Sequence, residues 1–182
     1  MAWSCLRPFA RRTPRRWSSG TTNAEMARWF DFPPLPAESE HLARVRHVIR
    51  AWQADYAAGV RIAWAVRDKR TCALVGSVEL RPRADGGVDA SYATHPTHRG
   101  RGLASRSLRL ACKWALERAG FNRVVVEYDA RNAASGAVAK AAGFIQVDYR
   151  VGGMRYEHAD GPGDAVLLEL AVRNRQERIR KA

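Results

Sequence analysis

The sequence has little cysteine and no long apolar run. Its 182 residues include only three cysteines, Cys5, Cys72 and Cys112, which are far apart in the chain. An odd number of distant cysteines argues against a disulfide framework, and their spacing is not that of a metal site. We therefore expect reduced thiols, no bound metal and a cytoplasmic location. No stretch approaches the roughly 20 consecutive apolar residues that span a bilayer, so we expect no membrane contact.

Acidic residues are also scarce, because 18 Asp and Glu oppose 31 Lys and Arg and leave a net charge of +13. Such an excess invites a nucleic-acid hypothesis, but much of it lies at the two ends of the chain. Residues 1–20 contain five arginines and no acid, and residues 173–182 are also rich in arginine. A nucleic-acid groove would concentrate its charge on the folded body, so we expect solvated ends and no nucleic-acid partner.

Composition and charge divide the chain into three predicted parts. Residues 24–172 are predicted to form one domain, since the 46% apolar and 27% charged residues of the whole chain are typical of a globular protein. Residues 1–23 are predicted to be an irregular basic arm or a poorly formed first strand–helix unit, in which Leu6–Phe9 fits the strand. The Arg- and Ser-rich start also fits an organellar transit peptide. Residues 173–182 are predicted to be a basic tail.

Within the domain, the apolar pattern changes between helical and alternating periods. Three segments predict helices: Glu38–Ala57, about Leu103–Arg118 and about Ala133–Ala142. The second has an apolar stripe of Ala104, Leu108, Ala111 and Ala115. Six segments predict strands: 60–68, 72–80, 88–94, 123–130, 144–150 and 164–172. This order of helices and strands predicts a single-domain mixed α/β fold.

A glycine-containing turn separates the third predicted strand from the second predicted helix. It reads Arg99-Gly100-Arg101-Gly102-Leu103-Ala104. The first amides of a helix have no partner within the helix, and the helix dipole favours negative charge there. Glycines leave such amides unscreened, so the turn suits an anion such as a diphosphate, although an exposed loop tip is the simpler interpretation. The turn is neither a Walker loop nor a dinucleotide fingerprint.

The segment Val88–Phe144 resembles the GNAT superfamily of acyl-CoA-dependent N-acyltransferases. Three residues match that family's phosphate loop, R/Q-x-x-G-x-G/A, namely Arg99, Gly102 and Ala104. Four residues of the following segment resemble the Rim-type subgroup of ribosomal-protein N-terminal acetyltransferases, namely Asn132, Ser135, Gly143 and Phe144. The resemblance extends over about residues 24–172. It implies the family's fold, an α/β domain with a mixed, mostly antiparallel twisted sheet flanked by helices.

The resemblance also implies acetyl-CoA as the co-substrate. The turn would bind its pyrophosphate, and its pantetheine arm would lie against the third strand as an additional strand would. A backbone amide at the end of that strand would bond the carbonyl oxygen as charge develops. Asn132 would lie on the cofactor side, although a helix cap is an equal alternative. The implied cofactor-binding residues are Tyr92, Ala93, Thr94, Arg99, Gly100, Arg101, Gly102, Leu103, Ala104 and Asn132.

Three residues are candidates for catalysis. Many family members carry a tyrosine seven residues after the helix asparagine, where this chain has Ala139. Ser135 is therefore the candidate acid that protonates the leaving thiolate, with an ordinary helix serine as the alternative. Glu79 and Asp89 are candidate bases acting through water, although solvent-facing strand carboxylates are the simpler interpretation. Weaker candidates are Asp148, His95 and His98.

The lack of an evident strong base favours weakly basic acceptors. A lysine amine with a pKa of about 10.4 is only about one part in a thousand neutral at pH 7, whereas an α-amine has a pKa near 8. We expect an N-acetyltransferase that acts by direct attack in a ternary complex on a protein N-terminal α-amine or a small-molecule amine. A catalytically silent acyl-CoA-binding module is the alternative, and either a monomer or a homodimer fits the sequence.

Overall fold

Seven strands form one sheet in the computed structural model, which describes residues 4–8, 24–30, 38–157 and 161–171. The strands are β1 (Ser4–Pro8), β2 (Ile62–Asp68), β3 (Leu74–Pro82), β4 (Val88–Thr94), β5 (Arg123–Asp129), β6 (Ile145–Met154) and β7 (Gly163–Ala171). Their order is β1-β2-β3-β4-β5-β7-β6, and every neighbouring pair is antiparallel except β4 and β5. The predicted mixed, mostly antiparallel α/β fold is confirmed.

Residues 1–23 were predicted as an irregular basic arm or a poorly formed first strand–helix unit, and Ser4–Pro8 of this segment form an edge strand. β1 pairs with β2 from Ser4↔Asp68 to Pro8↔Trp64. The remainder of residues 1–23 and the predicted tail at 173–182 lie outside the described residues. The six strands predicted from the alternating pattern correspond to β2–β7.

Four helices accompany the sheet in the described part of the chain. They are α1 (Ala24–Trp29), α2 (Glu38–Ala57), α3 (Leu103–Glu117) and α4 (Ala133–Ala142), and a single 3-10 turn covers Pro96–His98. The three predicted helices agree with α2, α3 and α4 to within one residue, whereas the short α1 was not predicted. No helix among these residues is long and apolar enough to cross a membrane.

The main core lies between the sheet and the helices α3 and α4. Its fully buried members come from every one of these elements and include Leu80, Leu108, Val124, Ala139 and Leu168. The predicted stripe of α3 is buried at Leu108, Ala111 and Ala115, but Ala104 is only half-buried. Ala104 instead lines a cavity, because the first turn of α3 lies beside an opening in the sheet.

That opening lies between β4 and β5. The two strands pair only at Val88↔Val124 and Asp89↔Val125, and beyond these residues they separate. The end of β4 stays with β3, where Gly76 faces Thr94. A Cβ atom on Gly76 would lie 2.2 Å from the carbonyl oxygen of Ala93, so only glycine permits this close approach of the two backbones. β5 follows β7 instead, and the sheet divides at this point.

Candidate active site

The separated ends of β4 and β5 lead into an open cavity of about 720 Å³. Such a volume is in the usual range for small-molecule sites. The cavity wall includes Ala90–Thr94 of β4, Val126–Asp129 of β5, the turn before α3 and one face of α4. Residues of α1 and of the segment after β6 complete the rim.

The turn before α3 gives the cavity an uncapped helix N-terminus. Gly100 and Gly102 have φ values of 72° and 65°, in the left-handed region that favours glycine. Gly102 is the N-cap of α3 and makes no side-chain capping hydrogen bond, so the first amides of the helix are not capped by a side chain. Arg99, Gly100, Gly102, Leu103 and Ala104 all line the cavity. These five predicted residues are brought together.

Arg101, the remaining residue of the predicted loop, lies off the cavity wall. Its carbonyl oxygen accepts a hydrogen bond of 2.6 Å from Nη2 of Arg106. The Arg99 guanidinium donates through Nη1 to the Glu25 carboxylate of α1, which connects the loop to the rim. Arg99 Nε also donates to the carbonyl oxygen of Thr94 over 3.4 Å.

Two histidines before the turn add polar groups beside it. Nδ1 of His98, which lines the cavity, is buried and has no hydrogen-bond partner among the described residues. Nδ1 of His95 lies 2.8 Å from the Thr97 hydroxyl. Burial, followed by the neighbouring His98 and Arg99, lowers the pKa of His95.

The free side of β4 carries backbone donors toward the opening. The His95 amide donates to the Val75 carbonyl oxygen of β3 over 2.8 Å. Because antiparallel strands alternate the direction of their amides, the amides of Tyr92 and Thr94 point away from β3 and toward the opening. They lie beyond the last residue pair of β4 with β5. An extended chain containing amide groups could pair with them as an additional strand.

Helix α4 brings Ser135 and Asn132 to the opposite wall. Asn132 is the N-cap of α4, and its Oδ1 accepts the Ser135 amide at 3.1 Å, so it has the capping role that the sequence left open while it also lines the cavity. The Ser135 hydroxyl lies 3.0 Å from the Tyr92 hydroxyl, which donates to the Ser135 carbonyl oxygen over 2.8 Å. Burial raises the pKa of Tyr92 to about 12.

A protein-family model described as "Acetyltransferase (GNAT) domain" matches residues 5–145. This match covers more than half of the chain. The chain is a GNAT acetyltransferase. A comparison with curated protein sequences finds no match.

Solved structures with the same fold include acetyltransferases named for several acceptors. The Mycobacterium smegmatis RimJ complex with CoA-disulfide has a TM-score of 0.81 at 15% identity, with 93% of this chain and 82% of that chain covered. The Vibrio fischeri ribosomal-protein-S5-alanine acetyltransferase has a TM-score of 0.77 at 14% identity, with 94% of this chain and 96% of that chain covered. The Vibrio cholerae spermidine N-acetyltransferase complex with CoA and spermine has a TM-score of 0.76 at 14% identity, with 92% of this chain and 95% of that chain covered. These neighbours agree with the Rim-type resemblance at the level of the fold.

In this GNAT acetyltransferase, the position of the frequent family tyrosine is in the core. Ala139 is fully buried and packs in the main cluster, and it does not line the cavity. The side chains of α4 on the cavity wall include Ser135 and Val138. The tyrosine hydroxyl that contacts Ser135 is that of Tyr92, which the sequence assigned only to cofactor binding. The alternation of β4 could have placed this side chain on the helix-facing side of the sheet.

The two candidate bases are placed very differently. Glu79 lines the cavity and is 8% exposed. Its carboxylate accepts hydrogen bonds from Arg61 Nη1 at 2.5 Å, Arg81 Nη1 at 2.8 Å and the Ser91 hydroxyl at 2.5 Å. Asp89 lies where β4 and β5 are still paired, outside the cavity wall, and its carboxylate pairs with Arg83 at 2.8 Å. The structure therefore brings only Glu79 to the site.

The remaining candidates also differ in position. His98 lines the cavity, whereas His95 and Asp148 do not. Asp148 is exposed on the edge strand β6 and pairs with Arg150 at 3.5 Å. No group of three or more His, Cys, Asp or Glu side chains in the described ranges is arranged to hold a metal ion.

A buried carboxylate at the end of β5 was missed by the sequence analysis. Asp129 is 2% exposed and accepts hydrogen bonds from the Arg131 amide at 2.8 Å, from its Nε and Nη2 at 2.9 and 2.6 Å, and from the Tyr156 hydroxyl at 2.9 Å. The Arg131 side chain is the main cause that lowers the pKa of Asp129 to about 2. A Cβ atom on Gly163 would lie 1.7 Å from this carboxylate. The cluster thus fixes the segment after β6 and the start of β7 against β5.

Proposed function

We propose that the cavity binds acetyl-CoA between β4 and β5 and that the protein transfers its acetyl group to a primary amine. The observation that carries this proposal is the opening in the sheet, with an uncapped glycine turn at its entrance. The amides that begin α3 would hold the pyrophosphate together with Arg99. The outward amides of Tyr92 and Thr94 would pair with the amide-containing pantetheine arm.

Acetyl-CoA supplies an activated thioester, and the chain's own groups move the charges and protons. The N–C bond to the amine forms as the C–S bond breaks, and the amine loses one proton. An outward amide at the end of β4 stabilises negative charge on the carbonyl oxygen. Ser135 donates its hydroxyl proton to the departing sulfur and recovers a proton from water.

Glu79 receives the proton of the amine through a water molecule in this proposal. Its Oε1 accepts two hydrogen bonds and its Oε2 one, so Oε2 can still accept a hydrogen bond from that water. This arrangement suits an amine that is largely neutral when it arrives. Freeing a proton at pH 7 costs about 1 kcal/mol for an α-amine and about 4 to 5 kcal/mol for a lysine amine.

The charges of the cavity favour an acceptor that is not a polycation. Four carboxylates line the cavity, namely Glu25, Glu79, Glu127 and Asp129. Each of them pairs with at least one arginine. Glu25 pairs with Arg99, and Glu79 pairs with both Arg61 and Arg81. Glu127 pairs with Arg150, and Asp129 pairs with Arg131. A polyamine would therefore meet carboxylates whose charge is already compensated. We propose a protein N-terminal α-amine as the acceptor, with a small α-amine as the second candidate.

The test is release of free CoA thiol by the purified protein from acetyl-CoA. Acceptors are a panel of short peptides with different free N-termini, each matched by its N-terminally blocked form, together with free amino acids and spermidine. We expect turnover with free peptides, none with the blocked forms, and at least tenfold lower kcat/KM for spermidine. Binding of acetyl-CoA without turnover on any acceptor would support the silent-module alternative. Spermidine as the best acceptor would overturn the acceptor assignment alone.

A further inference from the structure

Among the cavity hydroxyls that the proposed chemistry does not use, that of Tyr92 contacts Ser135 directly. Tyr92 lies on β4 and Ser135 on α4, and their side chains meet in the cavity wall. The Tyr92 hydroxyl lies within hydrogen-bond distance of two atoms of the same residue, the Ser135 carbonyl oxygen at 2.8 Å and its Oγ at 3.0 Å. A single phenol therefore contacts both the backbone carbonyl and the hydroxyl of Ser135.

The protons of this pair can be assigned from the atoms involved. A carbonyl oxygen can only accept, so the phenolic proton of Tyr92 goes to the Ser135 carbonyl. The phenolic oxygen is then free to accept the Ser135 hydroxyl proton. This contact draws the Ser135 hydroxyl away from the carbonyl groups of its own helix, where helix serines commonly donate.

The same geometry supports Ser135 after it has lost its proton. The two acceptor atoms lie at nearly equal distances from the Tyr92 hydroxyl. The hydroxyl can therefore rotate and donate its hydrogen bond to Oγ instead of to the carbonyl oxygen. Negative charge developing on Oγ would then receive a hydrogen bond from a buried donor. Tyr92 keeps its own proton throughout, because burial raises its pKa to about 12 and disfavours the phenolate.

We infer that Tyr92 is the positioning residue for Ser135: it orients the serine hydroxyl in the resting site and stabilises the serine oxygen when that proton passes to the sulfur. This inference rests on the proposed function, since it requires that Ser135 protonate the leaving group. Tyr92 itself transfers no proton and remains neutral. Its side chain therefore affects kcat rather than binding of acetyl-CoA.

The test measures kcat and the acetyl-CoA Kd for Tyr92→Phe, Ser135→Ala and the double variant. We expect losses in kcat of about tenfold for Tyr92→Phe and about a hundredfold for Ser135→Ala, with Kd within twofold of wild type. The double variant should lose no more than Ser135→Ala, because Tyr92 acts only through Ser135. In a Ser135→Thr background, which retains a hydroxyl, Tyr92→Phe should again lower kcat about tenfold.

Tyr149→Phe is the matched control, because it removes a hydroxyl that donates to Asp164 at 2.5 Å outside the cavity. It should leave kcat unchanged. An additive, roughly thousandfold loss in the double variant would overturn the inference, as would a kcat for Tyr92→Phe within twofold of wild type. A kcat for Ser135→Ala within threefold of wild type would reject Ser135 as the acid and the inference with it. Wild-type protein without turnover on the whole panel would reject the proposed function itself, and the inference falls with it.

Discussion

The two sides of the cavity differ in the groups that they present: one presents backbone amides and the other presents side-chain ion pairs. On the side where we propose that acetyl-CoA binds, called the donor side, the turn before α3 and the end of β4 present backbone amides. Positive-φ glycines and a missing strand partner make these amides available. On the side where we propose that the amine binds, called the acceptor side, arginine–carboxylate pairs join α2 to β3 through Arg61 and separately join β5 to β6. Backbone recognition requires small residues at fixed positions and leaves a motif in the sequence. Ion pairs can be formed from many positions, and they leave none.

The largest expected effect is loss of acetyl-CoA binding when the turn before α3 is changed. Gly102→Asp adds a negative charge and a side chain beside the uncapped amides of α3, where a Cβ atom would lie 2.9 Å from Nη1 of Arg106. We expect the stabilisation of the protein by acetyl-CoA in thermal unfolding to disappear. Gly120→Asp is the control at the other end of α3, since Gly120 has a φ of 80° and open space around it. An unchanged acetyl-CoA shift in Gly102→Asp would mean that the turn does not bind the pyrophosphate.

The second effect concerns the contribution of the buried Asp129 carboxylate to the free energy of unfolding of the protein. The pKa of Asp129 is lowered from 3.8 to about 2, which corresponds to about 2 kcal/mol of stabilisation of the ionised form at pH 7. Because the folded pKa is depressed, this stabilisation is present above pH 4 and is lost as the pH falls through 2. Asp129→Asn should therefore lower the free energy of unfolding in urea by about 2 kcal/mol at pH 7, and the difference should narrow below pH 4. Asp148→Asn, which breaks an exposed pair, should cost less than 1 kcal/mol.

The third effect separates the two carboxylates that the sequence ranked together. Glu79→Gln should lower kcat about tenfold with little change in acetyl-CoA affinity, since Glu79 lies on the cavity wall. Asp89→Asn should stay within twofold of wild type, because Asp89 lies where the strands are paired and contacts Arg83. Steady-state rates at saturating acetyl-CoA make the comparison. Equal losses in both variants would show that position on the cavity wall does not determine the role.

The smallest effect lies at the rim, where the two sides meet. Glu25 pairs with Arg99, and a phosphate would compete with that carboxylate for the guanidinium. Glu25→Gln should therefore tighten acetyl-CoA binding by about two- to fivefold, in line with an exposed ion pair worth up to about 1 kcal/mol. Isothermal titration at low and high salt measures the change. Weaker binding in the variant would mean that Glu25 supports the loop rather than competing with the ligand.

The sequence predicted the parts of this molecule that depend on local patterns. Helices α2, α3 and α4 follow from their apolar spacing, and the turn before α3 follows from its glycines. The short α1 has too few residues to show a period. Ala139 was considered for its place in a motif, whereas its burial depends on how α4 packs against the sheet.

Contacts between distant residues were not visible in the sequence. The Tyr92–Ser135 pair joins residues 43 positions apart, and the bond from Tyr156 to Asp129 spans 27. Such pairs depend on strand register and helix placement, which no local spacing specifies. For the same reason, Glu79 and Asp89 looked alike until the register put one on the cavity wall and the other at the closed end of the strands.

The two residue pairs that join β4 to β5 also determine how far the sheet is continuous. They leave the sheet as two blocks, β1–β4 and β5–β7–β6, which pair only at Val88 and Asp89 while α3 and α4 pack against both. A molecule that binds along the free edge of β4 would contact both blocks and hold them together. We therefore expect the amide hydrogens of Tyr92 and Thr94 to exchange with solvent faster than those at the centre of β3. Donor binding should slow their exchange and make the unfolding of the two blocks more cooperative.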